Sequence, residues 1–201
     1  MRGAAVVEHV ARLKDGTEIL MRPLRIGDLE RSFAFFQALP EEDRAYLRID
    51  VTRRDVVERR ICSALRSDNI TPIVALVGDE IVADGGMEVG GDEWDRHVGE
   101  LRVVVSHAFQ RKGLGTIMMR ELYAEAASQK VQEIVVRMMR PQKAAWTICR
   151  KLGFQEEVML HDYLKDLSGH KQDLILMRCD LEELWQRMED YIERSDWPRE
   201  G

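Results

Sequence analysis

The sequence predicts an α+β fold: a central mixed, mostly antiparallel sheet of about seven strands flanked by helices, with an extra N-terminal strand and a C-terminal helix. Three observations predict it. From residue 72 to 180, apolar runs and amphipathic stretches follow one another as strand, strand, strand, helix, strand, helix, strand, strand. Asp15-Gly16 and Gly78-Asp79 each separate two strand-like runs, as hairpin turns do. The 201 residues, 45% hydrophobic and 33% charged, suffice for one domain with a sizeable core.

The elements can be taken in order. Residues 6–14 and 17–24 read as strands around Asp15-Gly16, the second closed by Pro23. Residues 27–38 place Leu29, Phe33, Phe36 and Ala38 near helical spacing, and Pro40 ends that helix. The charged stretch EEDRAYLRID leads to a second helix over residues 52–66, with Val56, Val57, Ile61, Ala64 and Leu65 as its stripe. PIVALVG and EIVADGGMEV form a hairpin, and GELRVVVSH is the next strand. GLGTIMMRELYAEAASQ is a helix, QEIVVRMM a strand, and PQKAAWTICRKLG a helix with Pro in its first turn and Gly153 at its C-terminal cap. FQEEVML and QDLILMRCD are the last strands, joined by a loop, HDYLKDLSGHK. After Asp180 as N-cap, Leu181, Leu184, Trp185, Met188, Tyr191 and Ile192 recur with helical period. The expected division is one domain over residues 1–180 and a helical extension over 181–201, which could pack on its own domain or form a homodimer contact.

Composition excludes several classes. A formal net charge of −6 argues against nucleic acid as the main partner. Cys62, Cys149 and Cys179 form no CxxC pair, so neither a metal site nor a disulfide framework is expected. The opening MRGAAVVEHVARLKDG has too short an apolar run for a signal peptide. No run approaches the roughly 18 apolar residues of a membrane span. A reducing, cytoplasmic setting is the default.

The segment VVVSHAFQRKGLGTIM carries the chemistry. Two glycines between a strand and a helix let an anion approach backbone N–H groups at the positive end of the helix. A P-loop would need Lys-Ser/Thr after the second glycine, but Thr116-Ile117 follows Gly115. A dinucleotide fingerprint would need a third small residue, where Met118 stands. Gln110-Arg111-Lys112-Gly113-Leu114-Gly115 instead resembles the Q/R-x-x-G-x-G/A signature of the GNAT N-acetyltransferase superfamily. Val105 and Phe109 match that family's usual valine and aromatic, and His107 stands where proline is common. Ala144 to Phe154, AAWTICRKLGF, resembles the family's N-x-x-A-x-x-x-Y-x-K-x-G-F helix, with Gln142 in place of its asparagine.

The resemblance implies a GNAT fold and an enzyme that transfers an acetyl group from acetyl-CoA to a primary amine by direct transfer. Such transfer needs a deprotonated amine, a stabilised oxyanion and a leaving thiolate. The expected pyrophosphate cradle is Gln110, Arg111, Lys112, Gly113, Leu114, Gly115 and Thr116, with Gln142 and Ala145 beside it. The backbone near Val103, Val104 and Val105 should hold the pantetheine arm, and a strand bulge there, as in the family, would free it. Glu100 lies ten residues before Gln110 and resembles the catalytic glutamate of bacterial protein-lysine acetyltransferases, with Glu88 as runner-up. Strand alternation places Glu100, Arg102 and Val104 on one face. Cys149 occupies the place of the family's frequent tyrosine, the general acid. It is either a weak proton donor or a core cysteine, in which case Tyr123 or Tyr163 could substitute. Glu100 and the LPEEDRAYLR segment look like the protein-lysine branch. A small-molecule amine is the rival acceptor, and a CoA-binding sensor with little turnover the rival class.

Overall fold

The computed structural model describes residues 7–182. Its strands are β1 (His9–Arg12), β2 (Glu18–Pro23), β3 (Ile70–Val77), β4 (Glu80–Val89), β5 (Val98–Val105), β6 (Glu133–Met139), β7 (Gln155–Lys165) and β8 (Lys171–Asp180). Its helices are α1 (Leu29–Ala38), the short α2 (Glu41–Arg44), α3 (Arg54–Arg66), α4 (Leu114–Ser128) and α5 (Lys143–Lys151). All eight strands form one sheet in the order β1-β2-β3-β4-β5-β6-β8-β7. Among the described strands only β5 and β6 run parallel. The expected mixed, mostly antiparallel sheet flanked by helices is therefore what forms.

The sheet is sandwiched. On one face α4 and α5 cover a core that includes Met21, Ile73, Leu101, Leu122, Ile134 and Met177. On the other, α1 and α3 bring Phe35, Phe36, Val57 and Ile61 against Val74, Leu76 and Ile81. Period-two alternation sorts β5 between them: Leu101, Val103 and Val105 pack toward α4 and α5, and Val104 packs toward α1 and α3. The entry to α1 is fixed by Arg22 on β2, whose guanidinium holds Asp28 with two bonds of 2.7 and 2.8 Å in a nearly water-free site. Asp28 also accepts the Arg25 N–H at 2.8 Å, so the turn before the helix is closed from both sides.

Three differences from the sequence reading have local causes. EEDRAYLRID is not featureless, since α2 forms after Pro40, with three acidic residues in its first turn. Pro141 lies ahead of α5 rather than in its first turn, with Gln142 as the N-cap. β7 continues through the stretch read as a loop: Asp162 takes a left-handed φ of 53°, and a register shift between Leu160 and Leu164 absorbs the irregularity. His161 and Tyr163 are therefore strand residues, and the turn is confined to residues 166–170, His170 among them. Of the helix expected after Asp180, Leu181 is buried in the main core and Glu182 follows; the rest lies outside the described residues.

Candidate active site

The site begins where β5 and β6 part. Their pairing runs Val98↔Glu133, Gly99↔Ile134 and Glu100↔Val135, and stops there. β5 itself continues to Val105, bonded to β4 without interruption from Val89↔Gly99 to Ala83↔Val105. The expected bulge is therefore absent from β5, and divergence of two strands does its work instead. The backbone donors alternate in direction. The Val98 carbonyl and the Ser106 N–H face β4, bonding Gly90 at 3.1 Å and Val82 at 2.9 Å. Even-numbered residues between them, Val104 included, thus direct their backbone groups into the β4 ladder. Val103 and Val105 turn theirs into the opening wedge.

At the mouth of the wedge the chain turns from β5 into α4. Arg111 has φ 60° and Gly113 φ 95°, two left-handed residues one apart, which turn successive N–H groups toward one side. Gly113 is the N-cap of α4 and supplies no side-chain cap, so the first-turn N–H groups stay available to an anion. Gly115 serves another purpose: a Cβ there would stand 3.1 Å from Ile148 Cδ1, so glycine lets α4 close on α5 and β5. Gln110 closes the turn by donating to the Val105 carbonyl at 3.4 Å, Leu114 is fully buried, and Thr116 is half-buried in the first turn. Gln142 accepts the Met139 N–H at 2.8 Å, leaving its amide N–H donors, and Ala145 packs against the core on the same helix.

Lys112 is engaged rather than free. Its ammonium sits 3.1 Å from Asp15 and 5.0 Å from the centre of the Phe109 ring. Hydrogen bonds from Thr17, with Lys112, draw the Asp15 carboxyl down to about 2. The Lys14 N–H bonds the Lys112 carbonyl at 3.2 Å, and the Lys14 side chain passes beside Gly113. The β1–β2 hairpin thus braces the cradle, a role that sequence spacing alone did not reveal.

Glu100 is the last residue paired at the apex of the wedge, and its side chain is 13% exposed. Arg137 on β6 donates to one carboxylate oxygen at 2.5 Å. Arg48, from the segment after α2, bonds the other, and Arg102 Nε stands 3.8 Å from it. Glu88 lies opposite Glu100 in the β4–β5 register and pairs with Arg102. Burial would raise the Glu100 carboxyl, but the bonds from Arg137 and Arg48 outweigh it and hold it below the usual carboxylate range. The segment carrying Arg48 is pinned by the β7–β8 turn, whose Leu167 N–H bonds the Ala45 carbonyl at 3.0 Å.

Cys149 is elsewhere. It is 2% exposed in the core under α5, and burial pushes its thiol up to about 12. Tyr123 is also internal: its hydroxyl shares a hydrogen bond with Cys179, and burial followed by that bond raises its pKa. Tyr163 is 63% exposed on β7. Among the described residues there is no group of three potential metal ligands and no helix long and apolar enough to cross a membrane.

A parted strand pair leading to an amide-lined helix start suits one ligand class, an extended amide-bearing arm that ends in a pyrophosphate. Coenzyme A has that shape, and Val103, Val105 and the turn through Thr116 fit it. The sequence matches the model of the acetyltransferase (GNAT) family over residues 31–154. The chain belongs to the GNAT acetyltransferase family and is an acetyl-CoA-dependent N-acetyltransferase. Solved structures share the fold. Mycobacterium smegmatis RimJ, in complex with CoA-disulfide, is similar at 19% identity and a TM-score of 0.74, covering 88% of each chain. The GNAT domain of S. lividans PAT is 16% identical, with a TM-score of 0.71, over 87% of this chain and 97% of that one. A GNAT acetyltransferase from Streptococcus pneumoniae is 20% identical, with a TM-score of 0.70, over 81% and 99%. A comparison with curated proteins found no match by sequence.

Proposed function

We propose that the protein transfers an acetyl group from acetyl-CoA directly to a primary amine, with Glu100 as the base. The observation that carries this reading is the position of Glu100, a mostly buried carboxylate at the apex of the wedge to which we assign the pantetheine arm. Bound acetyl-CoA supplies an activated acyl carbon. Glu100 takes a proton from the amine as the N–C bond forms and the C–S bond breaks. The N–H groups of Val103 and Val105 face the wedge and can polarise the thioester oxygen. Tyr163, rather than Cys149, is our candidate to return a proton to the departing sulfur, because its side chain is exposed while Cys149 is sealed in the core. The resemblance of Glu100 and the LPEEDRAYLR segment to the protein-lysine branch supports a protein acceptor, and Arg48 of that segment lies on the base.

Glu100→Gln tests the role of the base. It is expected to lose most turnover at neutral pH while keeping acetyl-CoA affinity. Full activity in that variant would remove Glu100 from the mechanism. A second reading, a CoA-binding sensor with little turnover, is favoured by one observation: both oxygens of Glu100 are held by arginines. Acetyl-CoA binding without free-thiol release across a broad amine panel would select it.

A further inference from the structure

The surroundings of Glu100 have a charge balance unlike that of the whole chain. The protein carries a net charge of −6, yet at this apex three guanidiniums, Arg48, Arg102 and Arg137, face two carboxylates, Glu88 and Glu100. The three arginines come from three separate elements, and their side chains are 39%, 46% and 44% exposed, against 13% for Glu100. Glu88, at 47%, is equally accessible but already pairs with Arg102, which leaves Arg48 and Arg137 as the accessible guanidiniums above the buried base. Burial, and then repulsion from Arg48, hold Arg102 below the usual arginine value, as expected where positive charge is in excess.

Taking the transferase reading above as its basis, we propose that the acceptor is an amine that carries a carboxylate, and that this carboxylate is received by Arg48 and Arg137 in exchange for Glu100. A guanidinium fork binds any carboxylate with the same geometry, so the exchange conserves charge-assisted hydrogen bonds. It also resolves a conflict within the site. A base whose two oxygens are both engaged by arginines is poorly placed to take a proton from an amine. An acceptor carboxylate that draws Arg48 and Arg137 away frees both oxygens of Glu100 next to the amine it delivers. A polyamine would instead bring several positive charges against three arginines. The carboxylate could belong to a free amino acid or to an acidic residue flanking a lysine in a polypeptide. The chemistry is shared, and the substrates in the test separate the sources.

The test uses the full chain, acetyl-CoA and free-thiol release with matched acceptors: alanine against alaninamide, and a lysine peptide flanked by glutamates against the same peptide flanked by glutamines. In at least one pair the acidic member is expected to have kcat/KM higher by about tenfold or more, the scale of a charged hydrogen bond. Arg48→Gln should bring the two members of that pair within about twofold of each other, and Arg48→Lys should retain part of the preference. An acetyl-CoA-dependent rise in Tm shows that each variant folds. Equal rates for the acidic and neutral members of both pairs, or an unchanged preference in Arg48→Gln, would overturn the inference and leave acetyl transfer intact. Absence of turnover with every acceptor would overturn the transferase reading, and the inference with it.

Discussion

The Cys149 thiol, raised by burial to about 12, is protonated at neutral pH but is a weaker acid than an ordinary thiol, near 8.5. Transfer of its proton to a departing thiolate would therefore run uphill. Cys149→Ala is expected to leave kcat unchanged and to cost about 1 kcal/mol of stability by deleting one buried heavy atom, read by urea unfolding. Tyr163→Phe is the contrasting variant: it removes only a hydroxyl from an exposed side chain, so its effect should appear in kcat rather than in Tm. If Cys149→Ala lowers kcat and Tyr163→Phe does not, the two assignments exchange. The cysteine also marks what the sequence could reveal at this scale. Its helical face, shared with Ala145, Ile148 and Leu152, already suggested burial. The partners of Glu100 had no such signal, because Arg48 and Arg137 lie 52 and 37 residues away from it and converge only through the sheet.

Among the elements, the N-terminal turn of α4 is proposed to bind the anion through its backbone, so that its conformation would matter more than its side chains. A Cβ at Gly113 would make only ordinary van der Waals contact, with the Lys14 side chain at 3.6 Å, but its φ of 95° strains any L residue. Gly113→Ala is expected to cost about 1–2 kcal/mol in the cradle conformation and to raise the KM for acetyl-CoA more than it lowers kcat. A fall in kcat at unchanged KM would place the turn outside cofactor binding. This element was legible in the sequence because a glycine forced to positive φ leaves a mark. The hairpin turns at Gly16 and Gly78, with φ of 86° and 58°, were legible for the same reason. The C-terminal half of β7 was not, because Asp162 takes a left-handed φ without being glycine, and HDYLK has the composition of a loop. The parting of β5 from β6 was equally hidden. Both strands read as continuous apolar runs, and nothing in either encodes where their pairing ends.

For the molecule as a whole, the sheet consists of two halves, β1 to β5 and β6, β8 and β7, joined by three residue pairs at one end of β5. The core beneath α4 and α5 holds the halves together, with Leu101 and Met87 from one side meeting Ile134 and Met177 from the other. A ligand lying in the wedge bonds to strand edges that the fold leaves open, so its binding energy adds to that of the folded state. Acetyl-CoA at about 100 times its Kd should add about 2.7 kcal/mol and raise Tm by roughly 5–10 °C. A ligand held by the cradle alone would raise Tm too, so the shift does not locate the arm. Amide hydrogen exchange does, because the Val103 and Val105 N–H groups face the wedge and the Val104 N–H is committed to β4. Acetyl-CoA should slow exchange at Val103 and Val105 beyond what 3′-phospho-ADP achieves, and change Val104 least. Equal protection by the two ligands would put the pantetheine arm outside the wedge and leave the parted strands without a role in catalysis.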